Sequence, residues 1–369
     1  MPDPMTQLTS QRLTPWAKRK AGSFPRFFCL AVFFVASFQG KAAAQSTPQQ
    51  ISGSGWQALT TKAPAVASDG TNLYAAWRGQ SGSGIWFSIY DGKAWSTQQV
   101  VGGSGWTAKT SAAPALQYAG EPGSVWLAWK GKGSDNRIWF STWNGSSWSK
   151  QMAVAGTDPD WTAETTSAPT IGAYQTTPYV AWKGAGSDED IWYSWLDDYE
   201  GVQSWITQAT IGGSDWTAAT SSAPSFTYDA SGDPIAYWKG KTGSYVWSST
   251  GELFYPACDT QAKVGYCGPD AKSNAAPSAT AFANPIRGYE WTNVVFWKNS
   301  KSDQIFYNWT CGVVNGSTWS AATNVAPAAA TFMGSGYTRT AILAWKNATD
   351  NTIWYVDPLT LPGLKDFKY

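Results

Sequence analysis

Ser111-Ala112-Ala113-Pro114, then Trp129-Lys130-Gly131, Ile138-Trp139-Phe140-Ser141 and Asn144-Gly145-Ser146-Ser147-Trp148-Ser149 follow one another along one stretch of this chain, and the same order of words is written six times. Ala-Pro recurs at Pro64, Pro114, Pro169, Pro224, Pro277 and Pro327, in steps of 50, 55, 55, 53 and 50 residues. Behind each comes a tryptophan and a basic residue: Trp77-Arg78, Trp129-Lys130, Trp182-Lys183, Trp238-Lys239, Trp297-Lys298 and Trp345-Lys346. Next stands an aliphatic–aromatic pair: Ile85-Trp86, Ile138-Trp139, Ile191-Trp192, Val246-Trp247, Ile305-Phe306 and Ile353-Trp354. The units begin near residues 57, 107, 162, 217, 270 and 320.

Each unit reads as four short strands. In the first they are Ala65–Ala67, Leu73–Trp77, Ile85–Tyr90 and Ser96–Val100, separated by turn residues, and no window keeps a 3.6-residue period. Four strands in about 50 residues is one blade of a β-propeller, in which radial packing covers the sheet faces and shelters the edges. Ser46–Trp56 echoes Ser96–Trp106, so it reads as a fourth strand and exit loop with no blade of its own in front. The last repeat, 327–356, runs into Asp357-Pro358 with no fourth strand. The expectation is an all-β, six-bladed propeller, closed around one core when residues 46–51 join the C-terminal blade.

Composition agrees with that class. The 369 residues include 25 Trp, 17 Tyr, 15 Phe, 36 Gly and 20 Pro, which favours short strands and tight turns. Charged residues are 14%, and 26 basic against 25 acidic residues leave a net charge of +1. This argues against an electrostatic partner such as nucleic acid or an anionic membrane surface. Histidine is absent, which removes His-ligated zinc and any imidazole base. No cofactor is implied, and the single Asp of each repeat lacks the clustering of a calcium loop.

The N-terminus reads as a targeting segment. Lys18, Arg19, Lys20 and Arg26 precede the apolar run Phe27–Phe38, and Ala42-Ala43-Ala44 supplies small residues for cleavage before Gln45. Residues 1–44 are thus expected to be a signal peptide and 45–369 a single exported domain, extracellular or periplasmic. An uncleaved anchor is the alternative, though twelve apolar residues are short for a bilayer of ~30 Å. In an oxidising compartment Cys258 and Cys267 can close a short loop, leaving Cys311 free or paired otherwise. Asn144, Asn308, Asn315 and Asn347 stand in glycosylation sequons.

Two connections are kept best. One is Gly/Asp-Trp-Thr/Gln-Ala-x-Thr-x-x-Ala-Pro between blades, carrying Trp56, Trp106, Trp161 and Trp216, each eight residues before its Pro. The other is the turn between second and third strands, with Arg78, Lys130, Lys183 and Lys239 and, in some copies, Asp135 and Asp188. Up-and-down blades send both to the same rim. An indole takes the apolar C–H face of a pyranose, while cations, carboxylates and hydroxyls pair with its rim hydroxyls. Weak pockets repeated around a ring add through multivalency. These ten residues are the candidate ligand-binding set. The competing structural reading makes the second- and third-strand tryptophans core packing, and the Lys and Asp residues pins between blades.

The pattern of Ser-Ala-Pro, aromatic-basic-Gly, Ile-Trp-aromatic-Ser and Asn-Gly-x-x-Trp-Ser, quoted above from 111–149, resembles the Trp-rich β-propeller lectins. In repeat style it is closest to the Photorhabdus-type lectins, over residues 46–356. The resemblance implies glycan binding, of fucose-like or O-methylated sugars, in aromatic pockets between blades; members of that family have seven blades. Sialidases are propellers as well, and Ser88–Trp95 is similar to their Asp-box turns. A sialidase, however, needs an arginine cluster, a Tyr–Glu nucleophile and a separate acid on the axis. Arg78, Arg137, Arg287 and Arg339 are the only arginines after residue 44, and they fall in or near repeat-equivalent turns. A scaffold that binds protein without sugar is the third reading. The expectation carried forward is a non-enzymatic, secreted lectin, monomeric or a small homo-oligomer.

Overall fold

The computed structural model describes residues 47–118, 120, 124–156, 161–174, 177–199, 202–206, 208–228, 234–250, 260–265, 270–284, 290–308, 312–316, 318–333 and 339–356. Cys258, Cys267 and Cys311, and the segment read as a signal peptide, lie outside them.

The described residues form no helix; their strands build six antiparallel blades of a β-propeller. Blade 1 is Ala65–Ser68, Leu73–Arg78, Ile85–Tyr90 and Gln99–Val100. Blade 2 is Ala115–Tyr118, Ser124–Lys130, Ile138–Asn144 and Met152–Ala153. Blade 3 is Thr170–Tyr174, Thr177–Lys183, Ile191–Tyr199 and Ala209–Thr210; its long third strand also pairs with Val202–Trp205. Blade 4 is Ser225–Tyr228, Pro234–Lys239, Val246–Thr250 and Thr260–Lys263. Blade 5 is Ser278–Asn284, Glu290–Lys298 and Ile305–Tyr307, with Val313 bridging Phe306 in the fourth place. Blade 6 is Ala328–Met333, Arg339–Lys346 and Ile353–Val356.

The fourth strand of blade 6 is Gln49–Gln50. It pairs antiparallel with Ile353–Val356, Gln49 opposite Tyr355 and Gln50 opposite Trp354. The ring therefore closes as its ends predict, and first strands pack neighbour to neighbour all the way round, blade 6 against blade 1 included. Serine hydroxyls tie some of these inner strands: the Ala279 amide donates to Ser225 Oγ at 3.0 Å and the Ala329 amide to Ser278 Oγ at 2.8 Å.

The interior is not one core. The period-2 alternation of each sheet buries both faces, one against each neighbouring blade. In blade 1, Tyr74, Ala76, Ile85 and Phe87 face blade 2, while Leu73, Ala75 and Trp77 face blade 6. The result is six apolar clusters, one per seam. Each contains the second-strand tryptophan of the following blade: Trp77, Trp129, Trp182, Trp238, Trp297 or Trp345, all at most 4% exposed. Removing one such ring from water is worth roughly 4–6 kcal/mol at ~25 cal/mol per Å².

Third-strand aromatics add a staple at the outer rim. Phe87 meets Trp143 and Trp148 of the next blade at 5.3 and 4.9 Å, Phe140 meets Trp205 at 5.4 Å, and Tyr355 meets Trp95 at 5.5 Å. The turns that present Trp95 and Trp148 are built alike. Asp91 Oδ1 accepts from the amides of Lys93 and Ala94, and Asn144 Oδ1 from those of Ser146 and Ser147. Gly92 and Gly145 follow at φ 89° and 93°, a conformation closed to most side chains.

Candidate functional site

Linkers and cation-bearing turns meet at one rim. Arg78 donates from Nη1 to Thr61 Oγ1 at 3.0 Å and from Nε to the Thr110 carbonyl at 3.2 Å. Lys130 Nζ donates to Ser111 Oγ at 3.3 Å, and Lys239 Nζ to Ser221 Oγ at 2.6 Å. The same contact recurs where Lys298 reaches Asn274 and Lys346 reaches Asn324, at 3.1 and 2.9 Å. Backbone bonds reinforce it, from the Thr110 amide to the Ser83 carbonyl and from the Thr220 amide to that of Glu189.

At that rim the ammonium groups turn toward the backbone. Lys130 Nζ also donates to the carbonyls of Gly131, Gly133 and Asp135, at 3.2, 2.9 and 3.1 Å, and the residue is buried. Lys183 makes the same bonds to Gly184, Gly186 and Asp188, at 3.1, 3.5 and 2.8 Å. Desolvation holds Lys130 and Lys239 below the ordinary lysine value. Arg78, Lys130 and Lys239 thus cross-link turn to linker, and Lys183 braces its own turn.

The linker tryptophans sit on short ribbons: Ser52–Gly53 pairs with Trp56–Gln57, and Gly102–Gly103 with Trp106–Thr107. The indoles of Trp56, Trp106 and Trp161 each fold over a bare glycine. A Cβ on Gly103 would come within 2.7 Å of Trp106 Nε1, and Gly53 and Gly156 stand in the same relation to Trp56 and Trp161. Trp56 lies parallel to Trp77 at 6.3 Å, and Trp216 to Trp238 at 6.2 Å. All four linker indoles are half-buried.

The third-strand tryptophans border the same seams: Trp139 with Trp106, Trp192 with Trp161, Trp247 with Trp216 and Trp86 with Trp56. They too are half-buried, in contrast to those of the second strand. Their indole nitrogens hold the turn carboxylates, Trp139 Nε1 donating to Asp135 Oδ2 at 3.0 Å and Trp192 Nε1 to Asp188 Oδ2 at 2.8 Å. Asp135 is further engaged by Arg137, from Nε to Oδ1 at 2.8 Å and from Nη2 to Oδ2 at 3.2 Å. The guanidinium carbon of Arg137 lies 4.6 Å from the Trp139 ring centre, and its side chain is about half exposed. Burial pushes the Asp135 carboxyl up, but the bonds from Arg137 and Trp139 outweigh it and hold it below the usual range.

At the blade 1–2 seam, then, an exposed guanidinium, a carboxylate and two half-buried indoles share one edge. Arg137 was not among the residues singled out as ligands from the sequence. It occurs in that role in one repeat, so reading for recurrence passes over it.

Two clefts open on the ring. One, of 810 Å³, runs along the closure seam between blades 6 and 1 and is lined by residues 48–50, 52–54, Trp56, Tyr90, 93–95, Thr97, Trp354 and Tyr355. The other, of 540 Å³, is lined by Asp69, Thr71, Asn72, Tyr74, Ile89, Tyr118, Trp143 and Gly145. Asp69 is taken up within its own turn, accepting from the Tyr74 hydroxyl at 2.6 Å and from the amides of Thr71 and Asn72. Among the described residues no three of His, Cys, Asp and Glu converge as a metal site would require.

No known protein family profile matches the chain, and no curated protein does. Solved structures do. AofleA from Arthrobotrys oligospora covers 82% of this chain and 84% of its own at 16% identity, with a TM-score of 0.59. The Penicillium chrysogenum alpha-L-arabinanase complexed with arabinobiose covers 86% and 99% at 13% identity, with a TM-score of 0.57. The Aleuria aurantia lectin in complex with Fucalpha1-6GlcNAc covers 81% and 93% at 13% identity, with a TM-score of 0.54. At such identities the likeness is one of fold: this propeller is shared by a lectin and by a glycosidase.

Proposed function

We propose that this chain is a carbohydrate-binding lectin that holds glycans in shallow pockets between blades without turning them over. The observation that carries the reading is the edge of the blade 1–2 seam. There Arg137 and Asp135 offer charge-assisted partners for sugar hydroxyls beside the half-buried indoles of Trp106 and Trp139. Neighbouring seams present the indole pairs Trp56/Trp86, Trp161/Trp192 and Trp216/Trp247, which makes the chain multivalent. Fucose-like or O-methylated sugars are the proposed class, since their additional methyl groups suit an indole. Arg78, Lys130, Lys183 and Lys239 brace the pockets, and Asp188 orients Trp192.

The fold also serves glycosidases, but the described first strands, which ring the axis, carry no Asp or Glu. That favours binding over hydrolysis by an axial carboxylate pair. The chain is proposed to be exported after cleavage near Ala44 and to act as a monomer or small oligomer.

A glycan array tests the reading. The wild-type protein is expected to retain fucosylated or O-methylated glycans. Arg137→Ala is expected to weaken retention on a dense surface by about tenfold as avidity falls. Its melting temperature should stay within a few degrees, because an exposed ion pair is worth ~0–1 kcal/mol. Absence of retention, or retention indifferent to Arg137, overturns the assignment.

A further inference from the structure

The larger cleft differs from the other seam edges in what builds it. There the fourth strand comes from the other end of the chain: Gln49 pairs with Tyr355 and Gln50 with Trp354, and the Ile51 amide donates to the Ile353 carbonyl at 2.9 Å. The residues after that strand, Ser52 to Trp56, form one wall of the cleft, while Tyr90, Trp95 and Thr97 of blade 1 and Tyr355 of blade 6 supply the rest. Tyr355 donates to Gln49 Oε1 at 2.9 Å across the closure, leaving that amide nitrogen for a ligand.

We infer that the 810 Å³ cleft, which borders the Trp56/Trp86 pair through Trp56, is an extended site for a neutral oligosaccharide of more than one ring, whose binding clamps the N-terminal strand onto blades 6 and 1. Three features fix the class. The volume is in the upper part of the range of small-molecule sites. Three half-buried aromatic rings line it, Trp56, Tyr90 and Trp354, as stacking surfaces for successive sugars, with the buried Trp95 and Tyr355 packed behind them. The polar lining is amide and hydroxyl, with Lys93 the single formal charge and no carboxylate, so the complement is a neutral polyol. A ligand that touches both the closing strand and the blades it joins binds the closed ring better than an open one, and so stabilises closure by mass action.

The inference rests on the lectin reading and is tested apart from it. Ser54 and Thr97 are exposed lining residues, so Ser54→Trp and Thr97→Trp fill the cleft from its mouth. The full chain is titrated with neutral fucosylated lacto-, malto- and manno-tetraoses and with L-fucose, reading stoichiometry and melting temperature. Amide exchange of the peptide spanning 47–58 is followed in the same samples. Wild type should take one tetrasaccharide that both variants lose, with a rise in melting temperature and slower exchange at 47–58 that L-fucose alone does not produce. Equal tetrasaccharide stoichiometry in wild type and filled variants, or binding without slower exchange at 47–58, overturns the seam site and leaves the lectin reading standing. Failure of every saccharide to bind any of the proteins overturns both.

Discussion

Lys130 shows how one side chain serves two neighbouring connections. Its ammonium is shared among three turn carbonyls and the Ser111 hydroxyl, while its stem is buried beneath. Replacing it with Met keeps the stem and strands those acceptors, at a cost of about 1–3 kcal/mol. Lys130→Met should therefore lower the melting temperature by several degrees in calorimetry; an unchanged value would show that water replaces the ammonium. The sequence marks this position by its recurrence, but the direction of backbone carbonyls leaves no trace in residue type, so the destination of the ammonium becomes visible only in the fold.

Carboxylates at this scale set the acid limit. Burial would raise the Asp69 carboxyl, yet bonds from Tyr74, Asn72 and Thr71 hold it below its ordinary 3.8, and Asp135 is held low by Arg137 and Trp139. A depressed folded value contributes stability that is present above pH 3.8 and lost as the pH falls through the folded value. Urea midpoints are expected to be level from pH 6 to about 4 and to fall below it. In Asp69→Asn the midpoint is lower at pH 6 and the acid fall is shallower. An equal fall in both proteins would remove Asp69 from this role.

At the scale of elements, the linker ribbon joins fold to site. Gly53, Gly103 and Gly156 each lack the atom that would collide with their tryptophan. Gly103→Ala should displace the Trp106 indole, red-shift tryptophan emission and weaken glycan retention; unchanged emission would mean that the ribbon yields instead. The strands themselves were legible, because a period of two between turn residues recurs six times. Ile85–Tyr90 is found at its expected bounds, and the fourth strand shrinks from Ser96–Val100 to Gln99–Val100 because Ser96 is drawn into the turn. There Ser96 Oγ accepts the Ile89 amide and its carbonyl accepts the Ser88 hydroxyl. The extra pairing of Val202–Trp205 in blade 3 was not foreseen, since it arises from a single non-repeating extension of the third strand.

Over the whole molecule, closure was readable because the two ends carry complementary defects, a surplus fourth strand at one and a missing one at the other. The division of the interior into six seams was not, because sequence alternation states that both faces are buried without stating against what. The closure cleft was hidden for a related reason: Gln49 and Tyr355 lie at opposite ends of the chain, and their meeting is a property of the finished ring.

Intact capture of sugar at several seams is the central claim, and native mass spectrometry of the chain incubated with a fucosyl disaccharide addresses it in one spectrum. The account predicts more than one disaccharide per chain, each at its full mass after overnight incubation. A bare protein peak, or appearance of the cleaved monosaccharide, would contradict it.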